Sequence, residues 1–495
     1  MYCIGVDIGT NSTRAMLTDP KGRQLAIASR SYPLNCSRPG WAEQNAEHWY
    51  AAVAETVRDV LPENPGDVAG ISFSTQGGST LPVDANGLPL RPAISWMDNR
   101  SLAQAQRLNA LRGKQAWYTA TGMTPSPHSS VSHIVYLAEH EPDCFARARW
   151  FLTTSDYINL KLTGKAAIDR TNALMTGMLH QKSGAWDPFA LDAAGISVER
   201  LPEILPSGAL VGGLTAQAAS DLGLPEGTPV YNGVHDQYAC ALGCGAVHAG
   251  DSMLSCGTAW VLLGVSNKTI PDAHCALTPG FHAVENMRGA FYAISAGSQT
   301  LNWVLRQTGL SVAELDEANR ISATRISQNQ DLFFYPYLAG PVNLDQSQRA
   351  QGILAGLSLS TDRYDLVLAA MEGIVFETVR AISLFAKAGL SIAQLRMLGG
   401  AANSDLWAEI LSAASGLAVA RPQMNESALM GAAMLALTGS KAFPDLTHAS
   451  GALLGDIRVT EPAAARKAFY EEKYARYLRG HDSAMELCRK VIGAR

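Results

Sequence analysis

Tyr2-Cys3-Ile4-Gly5-Val6-Asp7-Ile8-Gly9-Thr10-Asn11-Ser12-Thr13-Arg14 is an apolar run that breaks into polar residues at a glycine. A glycine after a strand lets the backbone turn and bring successive N–H groups close to an anion. Gly9 has that place here, Thr10, Asn11 and Ser12 add side-chain donors, and Arg14 adds positive charge. Asp7, at the strand end, is positioned to hold a magnesium ion through water. Taken alone, an ordinary polar hairpin fits these residues equally well.

Outward from this stretch, the first forty residues read as a β-meander. Strands are expected at Tyr2 to Val6, Arg14 to Thr18 and Gln24 to Ser29, with Asp19-Pro20-Lys21-Gly22 as the second turn. A helix is expected from Ala46 to Val60, where apolar residues recur at helical spacing. The pattern returns near residue 250: Ser252 to Cys256 is a strand, Gly257-Thr258 a turn, and Ala259 to Val265 a second strand. At 495 residues the chain exceeds what one core usually supports. Two halves, 1–248 and 249–495, are expected to flank a cleft, with the boundary in the glycine-rich stretch Gly243 to Gly250.

A third glycine turn, Met397-Leu398-Gly399-Gly400-Ala401-Ala402-Asn403-Ser404, precedes a helical pattern at Asp405 to Ser415. Strand, double glycine and helix make a platform that admits a flat ligand closely, although a plain βα turn packed through glycine reads as well. Neither GxxxxGK[S/T] nor GxGxxG occurs. A nucleotide must therefore be held by paired hairpins from two domains.

Val230-Tyr231-Asn232-Gly233-Val234-His235-Asp236-Gln237 ends a strand and starts a helix. Asp236 falls at that helix N-terminus, where the dipole is expected to keep its carboxylate ionised. An ionised carboxylate in a cleft accepts the proton of a hydroxyl attacking a γ-phosphate; a helix N-cap is the alternative role. Ile71-Ser72-Phe73-Ser74-Thr75-Gln76-Gly77-Gly78-Ser79-Thr80 and Ile94-Ser95-Trp96-Met97-Asp98-Asn99-Arg100 combine an aromatic face with amide and carboxylate groups, the chemistry that sugar hydroxyls need.

In this order the segments resemble the FGGY carbohydrate kinases, part of the actin-like ATPase superfamily, over nearly the whole chain to about residue 440. The most specific matches are Asp7 to Arg14, Trp96 to Arg100, Gly233 to Gln237 and the Gly399-Gly400-Ala401 turn. The resemblance implies two α/β domains of the ribonuclease H-like kind, each a mixed sheet flanked by helices, closing over a cleft. It implies transfer of the γ-phosphoryl of Mg·ATP to a small sugar, a ketopentose such as xylulose first, with another ketose, a polyol or a diol as alternatives. A non-catalytic actin-like nucleotide-binding module is the rival from another class.

By the same resemblance Asp236 is the general base and Asp7 positions magnesium. Gly9, Thr10, Asn11, Ser12 and Arg14 hold phosphates from one domain, and Gly257 and Thr258 from the other. Gly399, Gly400, Ala401 and Ser404 line the adenosine pocket, and Ser295 to Trp303, with Gly297 and Asn302, is a second nucleotide-lining segment. On the acceptor side stand Gln76, Gly77, Trp96, Asp98, His128, Asp236 and Gln237. Gln76-Gly77 departs from the Met-His of xylulokinases and the Arg-Glu of glycerol kinases. Gly77 is expected to leave room, and Gln76 to read hydroxyls.

Composition narrows the partners. Hydrophobic residues are 47% and charged residues 17%, the balance of a compact globule, and the net charge is −5. No Lys/Arg block offers a footprint for nucleic acid. The N-terminal run carries an Asp and no basic flank, so it is not read as a signal peptide, and the apolar stretch Ala428 to Thr438 is too short to span a bilayer. Eight scattered cysteines without CxxC pairs fit a reducing cytoplasm, with Cys240 and Cys244 as buried thiols. Relatives of this kind are often homodimers.

Overall fold

The computed structural model describes residues 1–272, 274–327, 330–338, 340, 350–424 and 426–491. The opening residues form the expected meander: β1 (Tyr2–Ile8), β2 (Ser12–Thr18) and β3 (Gln24–Ser31), with helix α1 (Ala46–Asp59) next. Asn45 caps α1 by accepting from the Glu47 N–H, and the buried Trp49, Val53 and Val57 seat it on the sheet. The sheet continues with β4 (Val68–Thr75), β5 (Leu210–Gly213), β6 (Pro229–Tyr231) and β7 (Val234–His235). Its order is β5-β6-β4-β1-β2-β3, with β7 also on β4. The pairs β1–β2, β2–β3 and β5–β6 are antiparallel, whereas β1–β4 and β4–β6 are parallel.

A second seven-stranded sheet repeats the plan. Its strands are β8 (Ser252–Cys256), β9 (Trp260–Ser266), β10 (Thr278–Phe281), β11 (Arg288–Ile294), β12 (Gln394–Leu398), β13 (Ala418–Pro422) and β14 (Ile457–Thr460). The order is β10-β11-β9-β8-β12-β13-β14. β8 pairs antiparallel with β9 and parallel with β12, as β1 does with β2 and β4. The similarity visible in the sequence as two Gly-Thr hairpins thus extends to a whole sheet topology.

Three helices fix the geometry between the sheets: α2 (Arg170–Met175), α3 (Asp236–Gly243) and α7 (Ser427–Gly439). On the second sheet lie α5 (Arg363–Lys387) and α6 (Asp405–Ser415), with α4 (Ser298–Gln307) packed on α5 and, last in the chain, α8 (Ala464–Val491) packed on α6. Although α7 comes late in the chain, it packs on the first sheet. A Cβ at Gly5 of β1 would lie 2.5 Å from the Leu429 carbonyl oxygen and 2.6 Å from the Ala433 nitrogen. α3 and α7 cross just as closely, for a Cβ at Gly431 would sit 2.1 Å from the Ala239 oxygen, and one at Gly243 2.1 Å from the Ser427 oxygen. Tyr238, Leu242, Leu429, Ala433 and Met434 join Met253 and Leu263 of the second sheet in one apolar core. A cut at residue 248 does not convey this shared helix pair. Among the described residues no helix is long and apolar enough to cross a membrane.

Candidate active site

Three strands of the first sheet end side by side, and their last residues build the site. The β1–β4 register sets Asp7 beside Ser74, and the β4–β7 register sets His235 beside Thr75. The Ser74 hydroxyl donates to Asp7 Oδ1 at 2.7 Å, and Arg14 Nη2 donates to Oδ2 at 2.8 Å. Arg14 Nη1 also pairs with Glu426, the residue ahead of α7. Arg14 therefore ties β2 to the second half of the chain as well as to Asp7. Glu426 was not singled out in the sequence, where a lone acid before an apolar helix resembles a cap.

Asp236 opens α3, and the N-cap is His235, whose Nδ1 accepts from the Gln237 N–H at 3.4 Å. Asp236 Oδ1 lies 3.3 Å from that same Nδ1 and has no hydrogen-bond partner. Its side chain is 36% exposed, so one carboxylate oxygen is enclosed while the group still meets the cleft. Burial pushes the carboxyl above its ordinary value; the charge of Asp7 adds to this, and His235 and Gln237 oppose it. Desolvation is the largest of these influences, so Asp236 holds a proton more readily than an ordinary carboxylate does. The consequence is a more basic carboxylate, better suited to take a proton.

His235 is held from all sides. Its ring stacks on Phe291 at 6.1 Å, and its N–H donates to Thr171 Oγ1 at 2.8 Å. Thr171 in turn donates to Asp169 Oδ2 at 2.5 Å, Asn172 Nδ2 donates to Asp169 Oδ1 at 2.7 Å, and Thr75 donates to Asn172 Oδ1 at 3.1 Å. Asp169, Thr171 and Asn172 are positioning residues missed in the sequence. Their signal was an Asp-x-Thr-Asn cap ahead of the apolar Ala173-Leu174-Met175, which marks a helix start before it marks a site.

The first glycine turn is wired to the expected acceptor side. Thr10 Oγ1 accepts from the Trp96 indole at 3.1 Å, and the Thr10 carbonyl accepts from Gln44 Nε2 at 2.8 Å. Gln76 Nε2 donates to Gln44 Oε1 at 2.9 Å, and Gln76 is only 2% exposed, its Oε1 unpartnered. The Tyr32 hydroxyl donates to the Gly9 carbonyl at 2.6 Å, and the Tyr32 N–H donates to the Asn11 carbonyl at 3.0 Å, while the Gly9 N–H donates to the Ser12 carbonyl at 2.9 Å. Trp96 remains 42% exposed, and the exposed His128 sits against the backbone of Trp96 and Asp98. Partial enclosure of its ring lowers the His128 pKa, against the opposing pull of those carbonyls and of Asp98. Gln237 Oε1 is buried and unpartnered close to Asp236.

Two expectations fail here. Asp98 is not open to a hydroxyl: it is fully buried, Arg100 clamps both oxygens at 2.9 and 2.8 Å, and the Ala42 and Arg100 N–H groups add 2.6 and 2.8 Å bonds. Its work is to fold the loop that presents Trp96. Gly77 leaves no spare room either, because a Cβ there would lie 2.6 Å from His235 Cδ2 and 2.7 Å from Met175 Cγ. The glycine admits the His235 ring, not a ligand.

On the second sheet the Gly257-Thr258 tip is exposed, and its two carbonyls accept from the Ser298 and Gln299 N–H groups at 3.2 Å each. Gly297 is extended, and a Cβ on it would meet the Thr258 oxygen at 2.5 Å, so space rather than dihedral angle requires glycine. Asn302 is exposed on α4. Gly399 ends β12 at φ 86°, with a would-be Cβ 2.7 Å from the Cys256 oxygen, whereas Gly400 has open space above it. Ala401 is buried, and Ser404 caps α6 by accepting from the Trp407 N–H while also accepting from Asn319 Nδ2 at 3.3 Å. The Gly257-Thr258 tip, Gly297 and the double glycine therefore gather at one end of the neighbouring strands β8 and β12. Burial keeps the thiols of Cys240, in α3, and Cys244, its C-cap, protonated, raising the first well above its usual value and the second to about 12. Among the described residues no group of three or more His, Cys, Asp or Glu is arranged to hold a metal.

Two mixed sheets of like topology, joined by a crossed helix pair, with carboxylates at the strand ends of the first and glycine turns at the strand ends of both, define a two-domain protein of the actin-like ATPase fold. The chain belongs to the FGGY family of carbohydrate kinases: the N-terminal domain of that family matches residues 2–243 and the C-terminal domain residues 252–440. The xylulose kinase of Bacillus subtilis (strain 168) is 28% identical over 482 residues, covering 96% of each chain. The gluconokinase of the same organism is 28% identical over 454 residues, 88% of this chain and 87% of the other. A crystal structure of a "xyloylose kinase" from Brucella ovis aligns with a TM-score of 0.92 at 27% identity, over 98% of this chain and 100% of that one. The protein is a carbohydrate kinase, an ATP-using phosphotransferase that acts on an alcohol group.

Proposed function

We propose that this kinase phosphorylates a hydroxyl of a small ketose, with xylulose the first candidate, and that Asp236 accepts the hydroxyl proton. The observation that carries the reading is the Asp236 carboxylate, made more basic by burial and aimed out of a strand end beside Asp7. The relatives' names support xylulose, and the exposed Trp96 ring beside His128 supplies an apolar face and a ring nitrogen for a sugar. Residues 1–248 hold the sugar and the first phosphate turn, and residues 249–495 hold the nucleotide.

Mg·ATP fits the residues present. The charge of Asp7 raises the cost of ionising Asp236, a repulsion that a cation relieves. Asp7 already accepts from Ser74 and Arg14, so it suits a magnesium ion held through water rather than directly. Bound with ATP, magnesium supplies neutralisation of phosphate charge. The protein's own share is positioning: Thr10 and Gly9 on one side, Gly257, Thr258 and Gly297 on the other, and Gly400 and Ala401 under the adenosine, with Asn11, Ser12, Arg14, Gly399, Asn302 and Ser404 as their supports. The reading includes a homodimer, which sedimentation measures.

The test is ADP release with a panel of ketopentoses, other ketoses, polyols and gluconate, each at saturating Mg·ATP. A ketopentose is expected to give the highest kcat/KM. Gluconate or a polyol ahead of every ketose would replace the substrate assignment, and no sugar-dependent ADP release from the whole panel would remove it.

A further inference from the structure

Behind the helix pair, away from the catalytic strand ends, lies a cavity of about 830 Å³ lined from both halves of the chain. α7 gives the scale. Glu426, at its start, pairs with Arg14 in the active site, while Thr438 and Gly439, at its other end, line the cavity. Those 13 residues place the two sites about 20 Å apart at ~1.5 Å rise per residue. The first half contributes Arg170 and Ser207, and the second contributes Phe281, Asn286 and Arg288 from the β10–β11 hairpin. Nothing in the phosphoryl-transfer chemistry uses them.

The charge arrangement is unusual. The Arg170 and Arg288 guanidiniums both lie over the Phe281 ring, at 5.1 and 3.9 Å from its centre. Among the described residues neither makes an ion pair, and Arg288 Nη1 is held only by the Gln181 carbonyl at 3.0 Å. Burial and the neighbouring Arg170 charge both lower the Arg288 pKa, the mark of cations brought together without a counter-charge. Two carboxylates also line the cavity. Glu285 is exposed at the rim, and Asp445 caps the helix Leu446–Leu453 and pairs with His448 at 2.8 Å. Neither neutralises the arginines.

We propose that this cavity is a second binding site that takes the phosphate monoester of a small sugar, its phosphate on Arg170 and Arg288. Planar guanidiniums match phosphate oxygens in paired hydrogen bonds, and stacking on Phe281 holds both forks ready. A phosphate alone would fill a small part of the space, which has the volume of a small-metabolite pocket. Ser207 and Asn286 offer polar groups to hydroxyls, and the exposed part of the Phe281 ring offers a face to the sugar C–H groups. Because the lining comes from both halves, an occupant touches both.

The test is calorimetric titration of the full-length protein with ribose 5-phosphate, glucose 6-phosphate, inorganic phosphate and free ribose. Saturable binding of a sugar phosphate is expected, at least tenfold tighter than inorganic phosphate, with none for ribose. Arg288→Gln and Arg170→Gln should each weaken it tenfold or more, with Arg288→Lys in between, while kcat and the sugar and ATP KM values stay within twofold. Two positions are used because Arg288 also supports the Gln181 carbonyl; Arg170 has no such duty. The readout is binding, so it stands whichever sugar the enzyme phosphorylates. The proposal is overturned by no saturable sugar-phosphate binding, by inorganic phosphate binding as tightly, or by binding that survives both glutamine variants.

Discussion

Asp236 and Gly77 show how one residue's surroundings set its chemistry. Asp236→Asn keeps the shape but removes the proposed base, and turnover should fall by a factor of roughly a hundred or more, the usual range for general-base loss. The acid limb of the wild-type kcat/KM profile should lie above the ordinary carboxylate value of about 4, because burial raises this group. A folded pKa above the unfolded one adds stability below the unfolded value, and that stability is lost as pH rises through the folded pKa. The asparagine variant should therefore be at least as heat-stable as wild type at pH 7, which separates lost chemistry from lost folding. A variant keeping more than a tenth of wild-type turnover would take the base role from Asp236. Gly77 tests packing instead. Gly77→His meets His235 and Met175 rather than open space, so it should depress kcat on every sugar by disturbing the α3 cap, and admit no new substrate. A clean specificity change at full kcat would contradict that placement. The places of Asp7, Gly9, Thr10 and Asp236, at a strand end, a hairpin turn and a helix start, were legible in the sequence because they depend on local pattern and side-chain type. The sense of Gly77 was not, since it depends on a ring 158 residues further along the chain.

At the level of elements, hairpins and strand order were readable and helix crossings were not. The meander, the second hairpin and the βα turn at Gly399 each carry local marks: alternation, Gly or Pro at turns, and a capping residue. α7 carries none that tell where it docks. It is apolar nearly all round, as a fully enclosed helix must be, and the information lies in three glycines, Gly5, Gly243 and Gly431, each set against another element's backbone. These let backbones approach more closely than any Cβ allows. Gly431→Ala should therefore destabilise, although alanine is the better helix former, by about 1–3 kcal/mol, the cost of overpacking a filled core. A lowered urea midpoint with unchanged secondary structure by circular dichroism checks this. A raised midpoint would mean that helix propensity outweighs the clash and that the crossing can relax.

For the molecule as a whole, the two sheets meet through apolar contacts around α3 and α7, through His235 on Phe291, and through Arg14 on Glu426. The duplication was visible in the sequence only as two short Gly-Thr matches, because strand order is conserved through pairing geometry and not through side chains. The halves share a helix pair and each carries one of the proposed phosphate turns, a layout that permits a hinge. A ligand moves such an equilibrium only by binding one arrangement better; a nucleotide held as proposed, by Thr10 and Thr258, would have its contacts on both sides only with the halves closed. Small-angle scattering should show a smaller radius of gyration with a non-hydrolysable Mg·ATP analogue and sugar together, and less change with either alone. Thr258→Val should weaken nucleotide binding and the compaction together, since the Thr258 hydroxyl belongs to the exposed tip and its carbonyl, already bonded to Gln299, is untouched. Compaction that persists in Thr258→Val would assign closure to the sugar side, through the Trp96–Thr10 contact. An unchanged radius with both ligands bound would mean that the shared helix pair holds the halves in one arrangement throughout.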